Sequence, residues 1–161
     1  MIQRRMDLSL ESRRIKEKAI VETLLPFLKG KVAAYNPIQG EVDLFSFLRK
    51  DDFYFPKVID DETMEFIPYS GSFQKGRFKV DEPIGHPIDP MDIDVILIPM
   101  VAFYGRTRKG YGKGYYDRYL KKTKALKIGI AFDLQEDITI RKQPHDVDMD
   151  ILITETRRIE S

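Results

Sequence analysis

Nine consecutive residues, Val95-Ile96-Leu97-Ile98-Pro99-Met100-Val101-Ala102-Phe103, contain no charged or hydrogen-bonding side chain. An apolar run that does not alternate with polar residues leaves no face for water, so it reads as a strand covered on both sides. Strands of that kind belong to parallel sheets flanked by helices. The run is also far short of the ~18–20 apolar residues that a membrane-spanning helix needs.

The rest of the chain supplies partners for such a strand. Lys31 to Tyr35 reads as a short buried strand broken by Asn36-Pro37. Lys127 to Phe132 and Ile151 to Thr154 read as two more, and Phe53 to Ile59 and Met64 to Tyr69 as aromatic-rich strands. Between them the period changes. Leu10 to Leu28 carries Ile15, Ala19, Ile20, Leu24 and Leu25 at helical spacing, with Ser9 as N-cap and Pro26 and Gly30 at its fading end. A shorter helix is expected over Val42 to Lys50, with Leu44, Phe45 and Leu48 inward, and another over Tyr115 to Lys122. Ser70 to Asp94, with Pro83, Pro87 and Pro90, reads as loops. Strands alternating with helices predict an open, mostly parallel α/β sheet in one domain over residues 1–161.

Composition closes off several functions. The chain has no cysteine, which excludes disulfide scaffolds, thiolate metal sites and cysteine nucleophiles. Lys and Arg number 27 against 26 Asp and Glu, so there is no basic excess of the kind that marks a nucleic-acid binder. The N-terminal residues are polar and lack a signal-peptide core, which gives the expectation of a cytoplasmic protein.

Beyond Tyr104-Gly105, which follow the long apolar run, comes Arg106-Thr107-Arg108-Lys109-Gly110-Tyr111-Gly112-Lys113-Gly114-Tyr115-Tyr116-Asp117. Alternating glycines let backbone come close to a ligand and take positive φ, and a following helix start with Arg108, Lys109 and Lys113 suits an anion. Two readings stand here: a phosphate-binding loop, or a glycine-rich turn with solvated lysines. The pattern is G-x-G-x-G, not the dinucleotide G-x-G-x-x-G, and no G-K-[ST] occurs.

Asp117 admits two readings as well: a metal ligand, or a helix-start acid paired with Lys121 one turn on. Asp146, Asp148 and Asp150 alternate like the start of an EF-hand loop, but Ile151 stands where that loop needs glycine and Arg157 where it needs its closing Glu. One or two carboxylates beside a phosphate loop suit Mg2+ instead. His86 and His145 read as surface or capping residues.

Taken together, these segments resemble the 5-formyltetrahydrofolate cyclo-ligase family from Arg5 to Thr154. The resemblance is carried by Gly110 to Leu120 preceded by Ile98 to Phe103, by Ala34 to Asp43, Phe55 to Val58, Asp81 to Ile84, and His145 to Asp150. It implies a three-layer α/β/α fold akin to the glucosamine-phosphate isomerase and coenzyme A transferase superfamily. It implies that Arg108, Lys109, Gly110, Tyr111, Gly112, Lys113, Gly114, Tyr115 and Tyr116 bind ATP, with Tyr111 to Tyr115 also lining the folate site. Asn36 and Glu41 match substrate positions, and Asp117 and Asp146 match magnesium-linked aspartates. The implied reaction is ATP-dependent closure of 5-formyltetrahydrofolate to 5,10-methenyltetrahydrofolate. The formyl oxygen takes the γ-phosphoryl group, N10 adds to the activated carbon, and phosphate leaves. Arg108 and Lys113 are the expected stabilisers of the transferring phosphoryl group. The expected protein is a monomer using ATP and Mg2+, without nucleic-acid or membrane partners.

Two departures from the family pattern stand out. The family's first basic segment precedes the residues present here, and Arg4 and Arg5 match a later basic pair. The turn Tyr104-Gly105-Arg106-Thr107 is one residue shorter than usual. The alternatives are a family member with weak or no turnover and, from another class, a nucleic-acid-binding module using the Arg/Lys/Tyr loop. The near-neutral charge and the neighbouring acids oppose the latter.

Overall fold

A computed structural model describes all of residues 1–161. A short helix α1 (Ile2–Met6) leads into α2 (Leu10–Leu24), which Ser9 caps by accepting the Ser12 N–H at 3.1 Å. The strands follow as β1 (Val32–Ala33), β2 (Phe53–Val58), β3 (Met64–Pro68), β4 (Phe73–Lys75), β5 (Asp81–Pro83), β6 (Val95–Ile98), β7 (Ala102–Tyr104) and β8 (Thr107–Lys109). Helix α3 (Tyr115–Tyr119) and strands β9 (Leu126–Ile130), β10 (Ile151–Ile153) and β11 (Arg158–Glu160) complete the chain. No helix is long and apolar enough to cross a membrane.

Seven strands form one sheet in the order β11-β10-β9-β6-β1-β2-β3. The inner pairings β10-β9, β9-β6, β6-β1 and β1-β2 are parallel, and both edge pairings are antiparallel. Side chains alternate between the two faces. Val95, Leu97, Ile128, Ile130, Ile151 and Ile153 pack beneath Ile20, Val21 and Leu24 of α2. Ile96, Ile98 and Leu152 face the other way, toward Tyr119 and Leu120 at the end of α3. Each such buried aliphatic side chain contributes about 2 kcal/mol of transfer free energy. From β1 the chain builds β2 and β3 on one side, then returns to lay β6, β9 and β10 on the other. The order therefore reverses between β1 and β6, and ligands of open α/β sheets bind beyond the strand ends at such a point.

Several expectations need correction. The long apolar run is not one strand: β6 stops before Pro99, and β7 pairs with β8 as a separate hairpin. Pro99 has no N–H for the ladder, and its carbonyl accepts Arg108 Nε at 3.2 Å and Nη2 at 3.0 Å. Val42 to Lys50 is not an α-helix but 3-10 turns at Leu44–Ser46 and Lys50–Asp52. There the Asp43 carboxylate caps the Phe45 N–H at 2.9 Å while its own N–H goes to Glu17 at 2.6 Å. The inner face of α2 is turned toward Glu17, Ile20, Val21 and Leu24, leaving Ile15 65% exposed. That helix also ends early, passing to a 3-10 turn at Leu25–Phe27 around Pro26. Finally, Ser70 to Asp94 holds the hairpin β4-β5, and β11 extends the sheet past the last expected strand.

Candidate functional site

A cavity of about 860 Å³ opens at the switch point, and every site residue singled out in the sequence lines it. Asn36 and Glu41 come from the loop after β1, Arg108 and Lys109 from β8, and Gly110 to Gly114 from the loop beyond. Tyr115, Tyr116 and Asp117 come from α3, and Asp146 from the loop before β10. The fold thus gathers segments separated by more than a hundred residues of chain.

The glycine loop takes its shape from two left-handed residues, Gly112 at φ +91° and Gly114 at φ +73°. Gly114 stands directly before α3, where an added Cβ would come 2.8 Å from Arg118 Nη1. Arg118 anchors the loop by donating to Lys113 O at 2.8 Å and to Glu62 O at 2.7 Å. Lys109 and Lys113 are exposed and form no ion pair. The Lys113 ammonium lies 5.4 Å from the ring of Phe78, which the β4-β5 turn presents to the cavity. The anion-facing charge therefore comes from side chains, since α3 is only five residues long.

Deeper in, charge is enclosed. Arg108 is buried against Pro99 O, with its guanidinium 5.3 Å from the Tyr116 ring centre. Burial lowers its affinity for the proton, which the negative charges of Asp117 and Glu41 partly restore. Glu41 is 4% exposed. Its Oε1 accepts the Ile38 N–H at 3.0 Å and its Oε2 the Tyr111 hydroxyl at 3.1 Å. Burial pushes the Glu41 carboxyl up to about 7, and the Ile38 N–H, Arg5, Tyr111 and Arg108 limit the rise. The Tyr111 hydroxyl is pushed up to about 12, by burial first and the neighbouring Glu41 second. Asn36 donates to Asp81 O at 3.1 Å, tying the substrate-matched loop to β5.

Asp117 does not pair with Lys121. Its carboxylate lies 3.5 Å from the Val147 N–H and faces Asp146. Asp117, Asp146 and His145 each place a ligand atom within 4.8 Å of the other two. The donor chemistry fits Mg2+: two hard carboxylates beside a cationic loop that would bring phosphate oxygens to complete the shell. His145, expected as a surface or capping residue, is exposed but joins this group. Its position next to Asp146 was the one sequence clue. Asp148 and Asp150 are used elsewhere, bonding Thr107 Oγ1 at 3.1 Å and the Lys127 N–H at 2.8 Å. Nothing in the sequence pointed to Phe78 and Lys79, both at positive φ in the β4-β5 turn, and Arg5, matched there only as one of a basic pair, lies buried beneath the floor.

The model of the 5-formyltetrahydrofolate cyclo-ligase family matches residues 3–155. The 5-formyltetrahydrofolate cyclo-ligase of Mycoplasma genitalium is 35% identical, over 95% of this chain and 92% of the relative. The NMR structure of Aquifex aeolicus 5,10-methenyltetrahydrofolate synthetase superposes with a TM-score of 0.84 at 35% identity, covering 99% of this chain and 88% of that one. The 5,10-methenyltetrahydrofolate synthetase of Mycoplasma pneumoniae gives a TM-score of 0.76 at 34% identity, covering 96% and 93%.

Proposed function

The chain belongs to the 5-formyltetrahydrofolate cyclo-ligase family, and we propose that the switch-point cavity is where it carries out that family's reaction. It is an ATP-dependent enzyme that closes 5-formyltetrahydrofolate to 5,10-methenyltetrahydrofolate, with release of ADP and phosphate. Glu41 and Asn36 take the folate, and the loop from Arg108 to Tyr116 takes the triphosphate. Asp117 and Asp146 hold Mg2+, which supplies charge neutralisation on the phosphate oxygens. Arg108 and Lys113 place positive charge where the γ-phosphoryl group passes to the formyl oxygen. Such transfer needs positioning and charge more than a protein nucleophile. The enclosed floor holds N10 near the formyl carbon, a proximity effect that can lower a barrier by several kcal/mol. N10 then bonds to that carbon, the carbon–oxygen bond to phosphate breaks, and the N10 proton is lost.

One observation carries the reading: a buried carboxylate and an unpaired cationic glycine loop meet in a single cavity through Tyr111. We further read residues 1–161 as one unit acting as a cytoplasmic monomer, without a nucleic-acid or membrane partner. Its layered sheet is read as kin to glucosamine-phosphate isomerase and coenzyme A transferase. The decisive experiment mixes the protein with 5-formyltetrahydrofolate, Mg2+ and ATP and follows methenyl absorbance, with ATP omitted as control. An ATP-dependent rise is expected. Folate binding without any rise would overturn the assignment of turnover.

A further inference from the structure

Arg5 is the largest fully buried side chain of the molecule, and the reaction outlined above makes no use of it. Helix α1 turns it inward while Arg4 beside it stays in solvent. Its Nε donates to Gln39 O at 2.8 Å, its Nη1 to Met100 O at 2.7 Å, and its Nη2 to the Tyr111 hydroxyl. The three acceptors belong to the loop after β1, the turn after β6 and the glycine loop. Packing is close around it: a Cβ at Gly40 would come 3.1 Å from Arg5 Cγ and 3.0 Å from Met6 Cγ. Arg13 closes the far side by donating to Gly40 O at 2.9 Å and to Arg5 O.

A guanidinium has N–H donors and nothing to accept with. The Tyr111 oxygen therefore receives from Arg5, and its single proton is left for Glu41 Oε2. Hydrogen-bond direction along Arg5, Tyr111 and Glu41 is set at the cationic end. We propose that Arg5 is a positioning residue for folate recognition: it fixes the Tyr111 hydroxyl as a donor, keeps Glu41 an acceptor, and locks the substrate loop to the glycine loop. This rests on reading the cavity as the folate site. The groups facing Glu41 are Arg5 from α1, Arg108 from β8, Tyr111 from the glycine loop, Tyr35 after β1 and Tyr116 from α3. Without Arg5 a single cation opposes desolvation, so Glu41 ionises at higher pH.

The test is equilibrium titration of 5-formyltetrahydrofolate without nucleotide, from about pH 6 to about pH 9 so as to bracket the ionisation of a raised carboxyl. It uses wild type, Arg5→Lys, Arg5→Met, Tyr111→Phe and the Arg5→Met/Tyr111→Phe double variant. Wild-type affinity should rise with pH as Glu41 ionises. Arg5→Met should weaken folate at least ~10-fold and move that rise to higher pH, with a smaller loss of Mg–ATP affinity. Arg5→Lys, which keeps the charge and loses the fork, should recover part of the loss. Tyr111→Phe should lose a similar amount, and the double variant little more than either single, as coupled groups do. Single losses that add in full overturn the proposal, as does an Arg5→Met protein with folate Kd and pH midpoint both unmoved. Should Arg5→Met not fold, Arg5→Lys decides: an unchanged Kd sinks the role. A wild type that binds no folate would instead defeat the reading of the cavity itself.

Discussion

The floor and the rim of the cavity handle charge in opposite ways. On the floor Arg108 and Glu41, and beneath it Arg5, are buried and already hydrogen-bonded to Pro99, Ile38, Tyr111, Gln39 and Met100. On the rim, Lys109 and Lys113 are exposed without an acidic partner, and Asp117 keeps only a long contact to Val147. A floor whose donors and acceptors are fixed in advance suits a planar polar ring, because nothing must be ordered on binding. A rim of unpaired charge suits a ligand that brings charge of its own, as a triphosphate with Mg2+ would.

The sharpest way to break this contrast is to remove rim charge. Lys113→Ala should lower kcat/KM by about 100-fold or more, the usual size for one transition-state electrostatic contact. Its melting temperature should stay within about 2 °C of wild type, since a solvated surface lysine contributes little to stability. Steady-state kinetics and a thermal melt check both. An equal loss of stability would make the loop a structural element.

Floor charge should behave the other way. Glu41 has a raised folded-state pKa of about 7. The stability of its neutral form is therefore fully present below the ordinary carboxyl range and is lost as pH rises through about 7. Glu41→Gln should weaken folate binding roughly 10-fold or more, as loss of a buried acceptor does. At pH 8 it should stabilise the fold by on the order of 2–3 kcal/mol, with the gain vanishing toward pH 4. Denaturant unfolding across pH measures this. A gain that is flat with pH would show that the carboxyl does not titrate as described.

The metal corner gives smaller effects. Asp146→Asn should raise the Mg2+ concentration for half-maximal activity about 10-fold, through loss of a hard oxygen ligand. His145→Ala should change it only about 2-fold, since Mg2+ prefers oxygen to imidazole. Titrating Mg2+ in the activity assay ranks the two, and a larger effect at His145 would reverse the assignment of the corner.

The rim was legible in the sequence because it lies in one segment. Gly110 to Asp117 carries its glycines, lysines and acid in a local pattern, and that pattern needed only the preceding buried strand to place it. The floor was legible only in part. Glu41 was found by resemblance, whereas Arg5 was matched only as one of a basic pair and its contacts could not be read, because its acceptors lie 34 to 106 residues away and two of them are backbone carbonyls. The same limit explains the misread run after Val95. Hydropathy does not register that Pro99 ends the ladder and turns its carbonyl to Arg108. Asp43 likewise broke an expected helix through a bond to Glu17, on a different element.

The division of the cavity is tested most directly by titrating Mg–ATP, in the absence of folate, into wild type, Lys113→Ala and Glu41→Gln. Nucleotide affinity should fall about 10-fold or more in Lys113→Ala, as expected for losing a charge-assisted phosphate contact, and stay near wild type in Glu41→Gln. Equal weakening in both variants, or an unchanged Lys113→Ala, would contradict a triphosphate held at the rim and a folate held on the floor.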